Sequence, residues 1–556
     1  MRIRSTLTRL AVPAAAIGLL LSGCSADTGV TASTVDLAGK SDINPMDPSA
    51  LQDGGNLRMP LSSFPANFNY LHIDGGDESS ASVVTPTLPE TFSSDAKGDL
   101  TIDHNYFTDI ELTNTSPQQV TYTINPKAVW TDGTPITWED MRSQAQAMAG
   151  ADRGYQVAAV SGFDRVEKVE RGVDDRQAVV TFNKPYSEWK GQFNPLYPKS
   201  VTESPEAFAE SARNTLPVSA GPFMVGPIDR TQNRITLVRN PKWWGPAPKL
   251  DTITFSVLDH SAWLAAIQNN EIDYAYMSGL EMVTGAQGSP GVVVRRASEP
   301  KFSHITFNGA PGALLSDPKL RIAISKAIDR QAIVNASQHG IVTDPEPLNN
   351  HIYMMGQKGY RDNSAPVAFD PQAAAAELDA LGWKLNGDVR EKDGRPLVLR
   401  DVMYQQDAWV DTAKIVQEGL AKVGVKLEIQ TVPGTGLFTD VIDPGNFDLA
   451  QFSWNGSVLP LGALPQIYAY DPNNLQGNKA RIGSPELNAK IEETISELDP
   501  QKAIELANEC DKMIWEEGYS LPLNQASGTY ATRDNLANIG AFGMATPDWT
   551  KVGFLK

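Results

Sequence analysis

Apolar and polar residues alternate with a period of two at several points along the chain, the pattern of strands with one buried face. Ile235 and Leu237 form one such run, and Ile253, Phe255 and Val257 form another. Between them Asn240-Pro241-Lys242-Trp243-Trp244-Gly245-Pro246 cannot continue either strand, so Leu216 to Leu258 reads as sheet on both sides of an anchored corner. Gly221-Pro222-Phe223 stands where a strand enters. Nothing in this segment places a nucleophile beside a base, and it reads as scaffold. A first strand begins near Leu57, and Val120 to Ile124 and Ala178 to Phe182 are further short strand patterns, with a helix starting near Thr137 between them.

Beyond Phe302 the punctuation changes. Asp317-Pro318, Asp370-Pro371, Ser484-Pro485 and Asp499-Pro500 each pair a capping side chain with a proline at the first helical position. The cap accepts an orphan N–H and proline has none to lose, so these are sharp helix starts. The helices Asp370 to Leu381 and Asp411 to Val423 stop at Gly382 and Gly424, residues suited to the left-handed turn that ends helices. Val425, Leu427 and Ile429 then alternate as a strand, so helix and strand succeed one another in the α/β manner.

The N-terminus is of another kind. Arg2, Arg4 and Arg9 precede an apolar run from Leu10 to Leu21, which reads as a secretory signal because a bilayer needs about 20 apolar residues to be spanned. Leu21-Ser22-Gly23-Cys24 follows and resembles the bacterial lipobox, making Cys24 the acylated first residue of the mature chain. Residues 24–53 are small and polar, with Pro45 and Pro48 breaking any helix, and are expected to be a flexible tether. Cys510 then has no disulfide partner and reads as a small buried residue on a helix.

The 556 residues carry a formal charge of −19, which argues against a nucleic-acid partner and against adhesion to anionic lipid by charge. Enzyme signatures are missing their companions. Gly39-Lys40-Ser41 lacks the earlier glycine of a phosphate loop, Thr34 standing there. The six histidines are scattered without metal-ligand spacing. Ser316 to Lys319 and Ser187 to Lys190 satisfy Ser-x-x-Lys, but the other two motifs of a penicillin-binding site are absent. No catalytic residue, cofactor or metal is expected.

Three blocks carry a family resemblance: Gly221-Pro222-Phe223 with Ile235 to Pro241 and Trp243-Trp244; Trp130-Thr131-Asp132-Gly133-Thr134-Pro135 with Asp140; and Lys319 to Val334 with Ala327-Ile328-Asp329-Arg330. In that order they resemble the peptide/nickel-type extracellular solute-binding proteins that feed ABC importers, and the likeness covers nearly the whole mature chain. The resemblance implies an α/β, two-lobed periplasmic-binding-protein-like fold with a hinge and an extra small domain on the first lobe. It implies a signal peptide over 1–23, a tether over 24–53, a first lobe over 54–305 with the small domain near 81–201, a second lobe over 306–505 and a return to the first lobe over 506–556. The first crossing is expected at Thr306-Phe307-Asn308, with the hinge near Phe307, and the return between Leu498 and Leu521.

A cleft that holds an extended peptide must pair its backbone and leave room for its side chains, so the local signal is faint. The strand pattern Phe447 to Asn455 ends in Trp454-Asn455-Gly456 and resembles the family's ligand-facing strand end: Trp454 to stack on the ligand, Asn455, Gly456 and Ser457 to offer main chain. Tyr404 and Gln405 follow the strand Leu397 to Met403 and are candidates on the same grounds, as is Asn308. Ser63 and Phe64, in the turn after the first strand, correspond to the family's cleft edge. His351, Tyr353, Met354 and Met355 read as a structural cluster that could also line a pocket. In many relatives an Asp three residues after the tryptophan takes the peptide's ammonium group; here that place is Ser457, so the usual anchor is missing. The expected function is a lipid-anchored, monomeric receptor on the outer face of the cell membrane, capturing oligopeptides for an ABC permease. The alternatives are a receptor for a modified peptide, haem or a nickel chelate, and, from another class, a cell-wall hydrolase.

Overall fold

The computed structural model describes residues 34–160, 162–434 and 436–556. The signal segment and Cys24 lie outside them. Along the chain β1 (Asn56–Leu61) is followed by α1 (Glu78–Val84), β2 (Phe107–Thr115), β3 (Gln118–Ile124), α2 (Trp138–Met148), β4 (Val166–Arg171) and β5 (Gln177–Phe182). β6 (Phe223–Asp229), β7 (Arg234–Arg239) and β8 (Thr252–Val257) return to the first strand and make a sheet in the order β1-β8-β7-β6. Ile253 sits between Leu57 and Leu237, and Phe255 between Met59 and Ile235, so the alternating apolar residues form one buried face.

The corner is held by main-chain bonds. Asn240 Nδ2 donates to Gly221 O at 2.8 Å, Trp243 Nε1 to Pro246 O at 2.8 Å and Trp244 Nε1 to Asn105 O at 2.7 Å, while both indoles pack on Tyr106. The inserted strands form a second sheet, β2-β3-β5-β4, whose inner side joins the same hydrophobic core. Asp140 fixes the start of α2: it accepts the Thr137 N–H at 2.9 Å and the Trp130 indole N–H.

Six further strands make one sheet that serves both halves of the molecule. They are β9 (Tyr274–Tyr276), β10 (Val292–Phe307), β11 (Val398–Tyr404), β12 (Lys426–Val432), β13 (Leu449–Asn455) and β14 (Ser520–Arg533), in the order β9-β14-β10-β13-β11-β12. A second core, Ile305 to Leu523, lies on the side of β11 and β12. Its helices start where the Pro signals place them. Asp317, Asp370, Ser484 and Asp499 each accept a first-turn N–H, and Gly382 and Gly424 take φ of 90° and 76°. One start differs: the helix expected from Asp411 begins at Asp407. Cys510 is buried, beside Thr494.

β10 and β14 are the two connections between the cores. Their ladder is regular from Val292↔Arg533 to Ser298↔Ser527, breaks between Ser298 and Phe302 and again before His304, and resumes to Thr306↔Ser520. The irregularity marks the passage, because Pro300 cannot donate to the ladder. The crossing expected at Thr306-Phe307-Asn308 is therefore displaced toward the chain's start: Phe307 is fully buried in the second core. The return is displaced the other way, since Ala507, Cys510, Ile514, Trp515 and Leu521 all belong to the second core and only the residues after Leu523 leave it.

The tether is shorter than expected. Asp42 pairs by main chain with Ala541 and by its carboxylate with Arg295 at 2.8 Å, and Leu51 is fully buried beside Gly553. The prolines that exclude a helix there do not exclude packing as an extended strap. No helix of the described residues is long and apolar enough to cross a membrane.

Candidate ligand-binding site

β13 and β11 run parallel, so their last residues reach the same edge of the sheet. Val402 and Tyr404 share a face with Ala450, Phe452 and Trp454, and with Phe438 they form a small apolar cluster separate from the main cores. Trp454 is half-buried; its indole stacks on the His304 ring at 5.9 Å and 5°, and meets Phe452 edge-on at 5.4 Å. After it the chain leaves the sheet: Asn455, Gly456 and Ser457 are exposed, and Gly456 N donates to Pro300 O. Ser457 Oγ is engaged locally, donating to Leu459 O at 2.7 Å and accepting from Leu459 N at 3.0 Å. A cavity of about 120 Å³ opens beside this strand end, lined by Phe302, His351, Met354, Trp454, Gly456 and Tyr468 among others.

His304 lies beneath Trp454. Burial lowers its pKa to about 3, Thr306 Oγ1 is 3.0 Å from Nδ1, and Nε2 has no partner. His351 is engaged on both nitrogens, by Asp511 at 2.8 Å and Ser520 O at 3.2 Å. With Tyr353, Met354 and Met355 buried, the cluster is structural, although Met354 and His351 also form cavity wall.

Asn308 is at the other end of β10. Six residues separate it from Phe302, the partner of Trp454, which is about 20 Å of strand. Its Nδ2 donates to Gly445 O and Phe447 O at 3.0 Å each, and its Oδ1 accepts from Ala310 N at 3.2 Å. The amide locks the Gly445 loop and is not brought to the Trp454 end. A polar residue at the end of an apolar strand pattern gives the same sequence signal whether it faces a ligand or ties down a neighbouring loop.

On the first-lobe side, Ser63 Oγ is 3.3 Å from Ser79 Oγ at the start of α1, and Phe64 carries Arg230 over its ring at 4.5 Å. Next to this turn stands a group that sequence reading missed. Tyr274 and Tyr530 stack at 5.0 Å and 12°, Tyr276 meets Tyr530 at 5.5 Å, and Tyr530 OH donates to Glu299 Oε1 at 2.6 Å. Two signals were available: Tyr-Ala-Tyr puts both tyrosines on one face of a strand, and Glu-Pro inside an apolar strand pattern marks a break where a side chain can be re-aimed.

The two halves are bonded directly. Glu188, in the loop after β5, accepts from Leu461 N at 2.8 Å and Gly462 N at 2.6 Å, and Arg165 pairs with Glu492 at 2.6 Å. Burial pushes Glu188 up to about 7 against the two N–H donors, which pull it down. Among the described residues no group of three or more His, Cys, Asp or Glu is arranged to hold a metal ion.

Comparison with known proteins agrees along nearly the whole chain. Residues 108–476 match the family described as bacterial extracellular solute-binding proteins, family 5. The oligopeptide-binding protein OppA of Mycobacterium tuberculosis is 51% identical over 549 residues, covering 97% of this chain and 92% of that one. Among solved structures, a periplasmic EDTA-binding protein, EppA, superposes with a TM-score of 0.85 at 24% identity over 94% of this chain and 99% of its own. AppA of Bacillus subtilis, solved with a nonapeptide, gives 0.73 at 19% identity, covering 91% and 100%. These two likenesses concern the fold: two lobes joined through a shared sheet.

Proposed function

This chain belongs to the bacterial extracellular solute-binding proteins of family 5, and from that membership we propose that it is the oligopeptide receptor of an ABC importer. It takes peptides into the space between its lobes and delivers them to the membrane permease without chemical change. The observation that carries this is the identity of half the residues, over nearly the full length of both chains, with a protein named for oligopeptide binding. The site chemistry is compatible: an aromatic ring, Trp454, stands beside exposed main chain at Asn455, Gly456 and Ser457, the pairing an extended peptide requires. Tyr404 and Gln405, after the neighbouring strand, are assigned to the same wall, and Ser63 and Phe64 to the first-lobe edge of the cleft.

The chain works as a monomer held at the outer face of the membrane through acylated Cys24. Its tether is the part of the segment after Cys24 that precedes Leu37, which is buried. The lobe boundaries follow the cores, with the hinge at Ser298–His304 and its counterpart at Gln525–Ser527 in β14.

The test is mass spectrometry of the ligand that co-purifies with the protein, followed by titration with the peptide found. A ligand bound only by the folded protein at a hundred times its dissociation constant adds about 2.7 kcal/mol, and a clear rise in Tm is expected. A co-purified chelate or haem with no peptide response overturns the ligand assignment, and turnover of the peptide overturns the receptor reading.

A further inference from the structure

We propose that Glu299, with Tyr276, Tyr530 and Glu78, is the cation subsite of this receptor and takes a ligand ammonium or guanidinium group. The inference rests on the peptide-receptor reading and specifies what that site prefers. Four observations lead to it.

Glu299 lies in the break of β10, the point where the chain passes between the cores, and the break turns its side chain out of the ladder. It is laid flat across β14: a Cβ on Gly528 would fall 2.2 Å from Glu299 Oε1, so the absence of a side chain there is what admits the carboxylate. One oxygen is fixed by the Tyr530 hydroxyl, and Oε2 has no hydrogen-bond partner among the described residues.

The surroundings are aromatic, and no cation is bonded to the Glu299 carboxylate among the described residues. Glu78, exposed at the first turn of α1, adds its negative charge to the field at Glu299, Tyr274 and Tyr276. Neither Glu78 nor Glu299 forms an ion pair among the described residues. The exposed Lys301 is the counter-charge that acts on Glu299, and it makes no bond to it among the described residues. Burial, with repulsion from Glu78, holds the Glu299 carboxyl above its ordinary range, against the pull of the Tyr530 hydroxyl and Lys301. A cation between the two carboxylates relieves that repulsion, and the tyrosine faces attract it through their quadrupoles.

The subsite adjoins the strand end. Pro300 O accepts the Gly456 N–H, and Lys301 is the register partner of Asn455, so Glu299 sits one residue from the main chain exposed at 455–457. A peptide lying along that main chain brings its amino terminus or a nearby basic side chain to Glu299. Ser457, whose hydroxyl is taken up by Leu459, supplies no charge for it.

The experiment uses the purified protein and peptides recovered from its bound fraction after exposure to a chymotryptic digest of casein. Each is resynthesised with a free or acetylated amino terminus, and with lysine or norleucine. Calorimetry is run on the wild-type, Glu299→Gln and Glu78→Gln proteins. Glu299→Gln should weaken the cationic member of one pair by tenfold or more and its neutral analogue by less than twofold; Glu78→Gln, at an exposed position with no folding role, should do the same by a smaller factor. Loss confined to the free-amine pair assigns the subsite to the amino terminus, and loss confined to the lysine pair assigns it to a side chain. If both variants bind cationic and neutral analogues in the wild-type ratio, the subsite is overturned while the receptor stands. If the wild type binds no peptide from the digest, the receptor reading falls and the subsite with it.

Discussion

Trp243-Trp244 and Trp454-Asn455-Gly456 stand out equally in the sequence, and both place half-buried indoles at the ends of strands. In the structure they are opposites. At the corner, both indole N–H groups and the Asn240 amide are bonded to main chain, and the rings close over Tyr106. At the strand end, the Trp454 ring rests on His304, its Nε1 donates to no group among the described residues, and the next three residues are exposed. What separates scaffold from site here is the use of polar atoms. A segment whose donors and acceptors are all consumed internally has nothing left to offer a ligand, whatever its composition.

The comparison can be broken by mutation. Trp244→Ala removes a half-buried ring and the bond to Asn105 O, and should cost about 3 kcal/mol in urea unfolding, at the low end for a buried aromatic. Peptide affinity of the folded protein should be unchanged. Asn308→Ala should behave in the same way on a smaller scale: Gly445 O and Phe447 O each lose a donor, for a loss of about 2 kcal/mol. Its affinity for peptide should stay within twofold of the parent, and a tenfold loss would return Asn308 to the site. Trp454→Ala should invert the pattern. It gives up stacking and partial burial worth about 1–2 kcal/mol of stability, but weakens peptide binding about tenfold. If Trp454→Ala costs more stability than Trp244→Ala and leaves affinity intact, the assignment of scaffold and site is reversed.

These cases show how much the chain states openly. Strand alternation at Ile253 and Phe255 and the capped Pro starts at Asp370 and Asp499 are local rules, and the structure follows them closely. The crossing between lobes was legible only as a region. Its position depends on where Pro300 interrupts a ladder to a strand more than two hundred residues away, and local pattern does not contain that pairing. The bonds of Asn308 were hidden for a related reason: its partners, Gly445 O and Phe447 O, are remote in sequence. The Glu299 cluster is the extreme case, its tyrosines and carboxylate coming from three strands, β9, β14 and β10, that only the sheet order brings together.

One pair runs against the rule about polar atoms, and it supplies the most specific expectation. Asp401 and Gln451 face each other from β11 and β13, fully buried, with Gln451 Nε2 donating to Asp401 Oδ2 at 2.5 Å. Asp401 Oδ1 and Gln451 Oε1 are both without partners among the described residues. Two unsatisfied atoms would suggest a site, but both are acceptors once the acid is ionised, and one proton on Oδ1 supplies the donor that both lack. Burial agrees, raising the Asp401 pKa from an ordinary 3.8 to about 7 against the Gln451 bond. A raised folded-state pKa means that the folded protein holds the proton more tightly than the unfolded chain. The stability it contributes is fully present below about pH 4 and is lost as pH rises through about 7. Asp401→Asn replaces the acid by an amide that donates permanently toward Gln451 Oε1 and accepts from Nε2. The variant should match the parent within about 0.5 kcal/mol at pH 4 and be the more stable of the two at pH 8, the excess growing with pH as the parent's acid ionises. Glu188, similarly raised, gives both proteins the same background slope, so the difference between their unfolding curves isolates Asp401. A difference that does not change with pH would mean that Asp401 is ionised throughout, and the two unpaired oxygens would then need another explanation than a shared proton.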